Sequence, residues 1–90
     1  MSPDEFAERL RAEGYAEIVL VERAPGGALD EHAHPFEAKA LILDGEIHIQ
    51  AAGGEEKRYA AGQVFHLPAH LRHAERYGPA GVRYLVGRKS

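Results

Sequence analysis

Two histidines stand one residue apart in the segment DEHAHPFE, which covers residues 30–37. Residues i and i+2 of a β-strand point to the same face, so the imidazoles of His32 and His34 could reach one point in space. Imidazole is a common ligand of divalent transition metals, and the chain has no cysteine that could supply thiolate instead. The pair therefore predicts part of a metal site whose other ligands would be imidazole, carboxylate or water.

The next carboxylate along the chain, Glu37, follows His34 by three positions. In a regular strand Glu37 points away from His32 and His34, because successive residues face opposite sides. A β-bulge at Pro35-Phe36 would insert one residue, reset this alternation and turn Glu37 towards the metal. Glu37 is therefore the alternative fourth ligand, whereas a regular strand predicts that it lies outside the site.

The composition predicts one small globular domain over residues 1–90. Apolar residues make up 44% and charged residues 28% of the chain, which are typical values for such a domain. The net charge of −3 gives no electrostatic reason to expect a nucleic acid or an anionic membrane as partner. The charged N-terminus lacks the apolar run of a signal peptide and no stretch is long enough to span a bilayer, so we expect a cytoplasmic protein.

The pattern of apolar residues predicts one short helix followed by many short strands. The sequence SPDE at residues 2–5 is a capping box, and Phe6 and Leu10 form the apolar stripe of a helix over about residues 3–13. The strands that follow are separated by glycine and proline, which is typical of an all-β sandwich or barrel, here over about residues 16–88.

One of these strands, at 38–43, is apolar on both faces. One face would pack inside the barrel and the other against a second layer or a second subunit. The shortness of the chain and this second apolar face together favour a homodimer. After the strand, Asp44-Gly45 is a strong hairpin signal, so we expect a tight turn there.

The spacing of glycine, histidine and proline resembles the two short motifs of the cupin superfamily. The first motif is matched by Gly26, His32, His34 and Gly45, and the second by Gly62, Pro68 and His73. The resemblance implies a small single-domain cupin, a jelly-roll β-barrel that here has a short N-terminal α-helix. It also implies a single metal ion held by His32, His34 and His73.

Typical cupins add a glutamate to the three histidines, and at that position this chain has Ala38. The resemblance therefore implies a three-histidine site with open space where the carboxylate would lie. Cupins use Fe, Mn, Ni, Zn or Cu, and iron is the metal we expect first. Three neutral imidazoles leave a divalent metal with its full charge, which favours small anionic or chelating ligands.

Other polar residues are predicted to lie beside the metal site without binding the metal. His70 and Tyr77 are candidates for supporting residues beside the site, although Tyr77 and Tyr84 would also suit the barrel core. Arg72 and Arg76 flank His73 and would either steer an anion or form solvated loop charges. Packing or surface roles are expected for His48, His66, Phe36, Phe65 and Leu67.

Three functions are consistent with these residues. The first is a mononuclear metalloprotein that turns over a small anionic molecule by dioxygenase-like or Lewis-acid chemistry. The second is a non-catalytic domain that binds or senses a small molecule. The third is a degenerate site on a barrel kept for structure or assembly.

Overall fold

The computed structural model describes every residue, Met1–Ser90, and contains one helix and six strands. In chain order these elements are α1 (Pro3–Ala12), β1 (Glu17–Arg23), β2 (Ala28–His32), β3 (Glu37–Ala51), β4 (Glu56–Ala60), β5 (Val64–Leu67) and β6 (His73–Lys89). All strand pairs are antiparallel. The predicted all-β fold with a short N-terminal helix is confirmed.

The two long strands, β3 and β6, pair with each other along most of their length. β1 and β5 extend one half of this pair, and β2 and β4 extend the other half. The inward side chains of both halves form one buried cluster, which includes Ile42, Ile47, Phe65 and Val86. This arrangement is the predicted small jelly-roll barrel.

The middle of β3 contains a bend instead of the hairpin predicted at Asp44-Gly45. β3 continues through this dipeptide, and its register with β6 shifts on both sides of it. Gly45 has a φ of +73°, and a Cβ atom placed on it would lie 2.1 Å from the carbonyl oxygen of Gly81. The hairpin prediction was wrong because the same dipeptide also suits a bulge where a bent partner strand approaches closely. Beyond the bend, the face of β3 that points into the barrel changes from even-numbered to odd-numbered positions.

The N-terminal helix covers the outer face of β3. The amide of Glu5 donates to Ser2 Oγ at 3.2 Å, as the capping box predicts, and Phe6 and Leu10 are buried against Leu41. This contact explains the two-sided apolar character of the strand at 38–43 within a single chain. The homodimer stays a prediction. It was based on the short chain and on the second apolar face of this strand, and α1 covers that face within one chain.

The only helix is ten residues long. No helix of the structure therefore has the length and apolar character needed to cross a membrane.

Candidate metal centre

Strand pairing brings the three histidines together inside the barrel. His32 ends β2 and lies opposite His73, the first residue of β6, so their ring centroids are 4.4 Å apart. His34 follows two positions later, and its ring centroid lies 4.9 Å from that of His32 and 5.4 Å from that of His73. Two features of strand geometry explain this convergence. Residues i and i+2 of a strand share one face, and residues directly opposite each other on paired strands lie close together.

A carboxylate that the sequence analysis did not select completes this cluster. One ligand atom from each of His32, His34, His73 and Glu75 lies within 4.8 Å of every other. Glu75 follows His73 by two positions in β6, so both side chains point inwards, where His73 is 1% and Glu75 8% exposed. The cluster therefore contains a carboxylate beside the three predicted histidines, and this carboxylate lies on β6 and not on β3.

Main-chain carbonyl groups determine which nitrogen of two histidines carries the proton. Nδ1–H of His32 donates to the carbonyl oxygen of Asp30 at 2.7 Å, and Nδ1–H of His73 donates to that of Leu71 at 2.9 Å. Carbonyl oxygens can only accept, so each neutral ring presents the lone pair of Nε2 to the cluster. Metal-binding histidines are commonly oriented by such a bond from their other nitrogen.

The donor atoms fit a cation at their centre. Nε2 of His32 and Nε2 of His73 lie 3.5 and 3.1 Å from Oε2 of Glu75, and the buried Nε2 of His32 has no hydrogen-bond partner. Lone pairs that face one another in a buried site are stabilised only by a proton or a cation between them. Ligand atoms at about 2.0–2.2 Å from one metal lie at most about 4.4 Å apart. Small side-chain rotations would therefore close this cluster around a divalent metal.

His34 is held in its neutral form by its surroundings. Burial lowers the pKa of His34, and the neighbouring His32 and His73 lower it further. The ring also stacks on Phe36, with centroids 4.8 Å apart and an interplanar angle of 17°. The neutral imidazole is the form of histidine that binds a metal, and stacking on Phe36 fixes the orientation of this ring.

The lowered pKa of His34 predicts a loss of stability in mild acid for the metal-free protein. Between its folded pKa and the unfolded value of about 6.5, the unfolded state binds more protons, so stability falls as pH drops below that value. We expect the melting temperature, measured with a chelator present, to decrease between about pH 7 and pH 5. The decrease should be smaller in His34→Gln, and an equal decrease in both proteins would contradict this role for His34.

Tyr77 holds the carboxylate of the cluster. Its phenol donates to Oε1 of Glu75 at 3.1 Å, which leaves Oε2 for the histidines. Burial raises the pKa of the Tyr77 phenol above its ordinary value, and the charge of Glu75 raises it further. The phenol therefore keeps the proton that it donates. Tyr77 was predicted to lie beside the site, and it contacts the cluster by its hydrogen bond to Glu75.

Glu37 lies outside the cluster. Its carboxylate accepts hydrogen bonds from the phenol of Tyr15 at 3.1 Å and from Nε2 of His66. The hydrogen bond from His66 lowers the pKa of the Glu37 carboxyl, and that from Tyr15 lowers it further. Its neighbour Ala38 packs in the barrel core instead. This placement is the one that regular strand alternation predicts.

The other predicted residues near the second motif contribute less to the cluster. The ring of His70 is exposed, and only its backbone N–H reaches the site segment, donating to the carbonyl oxygen of His34 at 2.7 Å. Arg72 and Arg76 form ion pairs with Glu31 and Glu56, at 3.4 and 2.7 Å. These pairs match the alternative of solvated surface charges.

A family model described as a cupin domain matches residues 19–85. The chain is a cupin. No curated protein matches this cupin significantly.

Solved structures share its fold over most of its length. The DMSP lyase DddQ from Ruegeria pomeroyi is 26% identical, with a TM-score of 0.73 over 81% of this chain and 37% of that chain. A conserved protein of unknown function from Streptococcus pyogenes is 30% identical, with a TM-score of 0.68 over 81% of this chain and 63% of that one. An RmlC-like cupin from Shewanella frigidimarina is 23% identical, with a TM-score of 0.67 over 81% and 65%. This cupin therefore spans less than two thirds of each of these chains.

The cupin barrel contains a partly open cavity of about 60 Å³ beside the cluster. His34 and Glu75 form part of its wall, as does Ala38, the residue at the usual glutamate position. Apolar side chains form much of the remaining wall, including Phe36, Phe65 and Leu67. One water needs about 10–15 Å³ of such space, so the cavity has room for several waters or for one small ligand.

Proposed function

We propose that this cupin binds one divalent transition metal through His32, His34, His73 and Glu75, and uses it to convert a small anionic molecule in the adjacent cavity. The observation that carries the proposal is the buried Nε2 of His32, which has no hydrogen-bond partner and whose lone pair faces the cluster. A buried polar atom without a partner is costly, and a metal ion would remove that cost.

When bound, the metal would supply Lewis-acid chemistry or, if it is iron, reaction with dioxygen as in a non-haem dioxygenase. Imidazole and carboxylate ligands suit several metals, so iron remains our first choice and Mn, Ni, Zn and Cu the alternatives. Three imidazoles and one carboxylate leave a divalent ion with a net charge of about +1. That charge favours an anionic substrate.

The wall of the cavity contains a buried phenol, that of Tyr84. Burial raises the pKa of the Tyr84 phenol to about 12, and the charge of Glu75 acts in the same direction. Tyr84 therefore stays protonated near neutral pH and can donate a hydrogen bond to a ligand in the cavity that it lines. The apolar walls lower the local dielectric constant, which strengthens such polar contacts.

Binding without catalysis is the second candidate function. The small size and largely apolar wall of the cavity favour it, since these features suit retention of one small molecule. The DMSP lyase among the similar structures supports catalysis on this fold, but this cupin spans only 37% of that chain.

The two candidates differ in whether a bound molecule is consumed. Protein stripped of metal and reloaded with Fe(II) or Zn(II) would be incubated with small carboxylates, thiols and diketones, while NMR follows each compound and an electrode follows oxygen. We expect metal-dependent consumption of at least one compound, lost in His73→Ala and retained in His66→Ala. Consumption together with oxygen uptake would indicate a dioxygenase, and consumption without it Lewis-acid chemistry. Binding without consumption of any compound would contradict catalysis and support the second candidate.

A further inference from the structure

Two arginines that belong to neither cupin motif line the cavity beside the cluster. Arg23 is the last residue of β1, and Arg88 lies near the end of β6. Both border the same cavity as His34 and Glu75. A cationic side chain in the wall of a small, mostly apolar cavity is a frequent means of fixing an anionic ligand.

The two guanidinium groups are held differently. Arg88 lies over the ring of Phe36, with Cζ 5.1 Å from the ring centroid, and its Nη1 donates to Oε1 of Glu17 at 3.0 Å. Because Phe36 also stacks on His34, this chain of contacts connects Arg88 to the cluster. Arg23 forms no ion pair with any carboxylate of the chain, so no carboxylate neutralises its charge.

Arg23 and Arg88 approach the cavity from opposite ends of the β1–β6 pair, since Arg23 lies opposite Val82 and Arg88 lies opposite Glu17. The buried Tyr84 lines the cavity together with both of them. Glu75 is the one carboxylate of the cavity wall, and it accepts a hydrogen bond from Tyr77. The cavity wall therefore contains two guanidinium groups and a single carboxylate that already has a hydrogen-bond donor.

We infer that the ligand of this cavity is a small monocarboxylate whose carboxylate group binds Arg23 and Arg88 while its other end faces His34 and Glu75. The inference rests on the proposed function, because it takes this cavity as the substrate site. Guanidinium groups match the planar shape of a carboxylate and donate charge-assisted hydrogen bonds to it. The cavity volume of about 60 Å³ suits a small ligand.

The inference is tested with propionate and its neutral isostere propionamide as probes of zinc-loaded protein. Ligand-observed NMR would give the dissociation constants for wild type, Arg23→Gln and Arg88→Gln. Arg58→Gln is the matched control, because Arg58 pairs with Glu46 and does not border the cavity. Each of the two cavity variants should bind propionate at least about tenfold more weakly, the effect of losing one charge-assisted hydrogen bond. Wild-type protein should bind propionate more tightly than propionamide.

Metal content and melting temperature are measured on each variant, so that failure of this inference is distinguishable from failure of the proposed function. Arg88→Lys, which keeps the charge, should bind propionate more tightly than Arg88→Gln and guards against a folding defect. Equal binding of propionate and propionamide, equal binding by the arginine variants and wild type, or no binding to metal-loaded wild type would overturn the inference. Absence of metal from wild type, together with arginine-dependent binding of propionate, would overturn the proposed function and leave the carboxylate site standing.

Discussion

Replacing His73 by alanine should abolish the stabilisation of this cupin by added metal. For wild type at a free metal concentration about 100-fold above the dissociation constant, binding to the folded state adds about 2.7 kcal/mol. For a domain of this size that corresponds to a rise in melting temperature of roughly 10–20 °C. The rise should vanish in His73→Ala, because Nε2 of His73 is one of the converging donor atoms.

The quantity to compare is the difference between melting temperatures with metal and with chelator. The buried ring of His73 also packs in the barrel, so its removal lowers the baseline stability with or without metal. His66→Ala is the matched control, since His66 is exposed and bonds to Glu37 outside the cluster. A metal-dependent rise of wild-type size in His73→Ala would remove His73 from the ligand set.

Replacing Glu75 by glutamine should weaken metal binding by on the order of 100-fold. The substitution keeps the shape of the side chain and removes the charge that partly neutralises a divalent ion. Glu37→Gln is its control, because Glu37 is the carboxylate first considered from the sequence and lies outside the cluster. We expect its affinity to stay within about twofold of wild type. Isothermal titration of chelator-treated protein with Zn(II) measures both.

The opposite ranking would change the assignment of the carboxylate. Weak binding in Glu37→Gln with normal binding in Glu75→Gln would mean that β3 rearranges on metal binding and supplies the fourth ligand. Normal binding in both variants would leave a site of histidines alone, as Ala38 first indicated.

Part of the metal cluster was predictable from the sequence, because residues two positions apart on one strand share a face. The shared face of His32 and His34 follows from strand alternation, and the second motif supplied His73. Glu75 carries the same signal, since the segment HAE at 73–75 repeats the spacing of HAH at 32–34. The family pattern drew the search for a carboxylate to position 38, and only the pairing of β2 with β6 shows that both segments face one point.

Features that depend on distant partners were not predictable in this way. Asp44-Gly45 has the composition of a hairpin turn, and it forms a bulge because Gly81 of the partner strand lies against it. The same holds for the cavity wall, where Arg23 and Arg88 meet only after the barrel closes. Composition and motif spacing contain no information on these contacts, which are determined by strand register.

The most direct test of the metal site is a crystal structure of the metal-loaded cupin with data collected at the absorption edge of the bound metal. We predict one anomalous peak inside the barrel, at about 2.0–2.2 Å from Nε2 of His32, Nε2 of His73 and a carboxylate oxygen of Glu75. The His34 ring should be in contact with the same peak. A peak elsewhere, or none in crystals of protein incubated with excess metal, would contradict a metal site formed by these four residues.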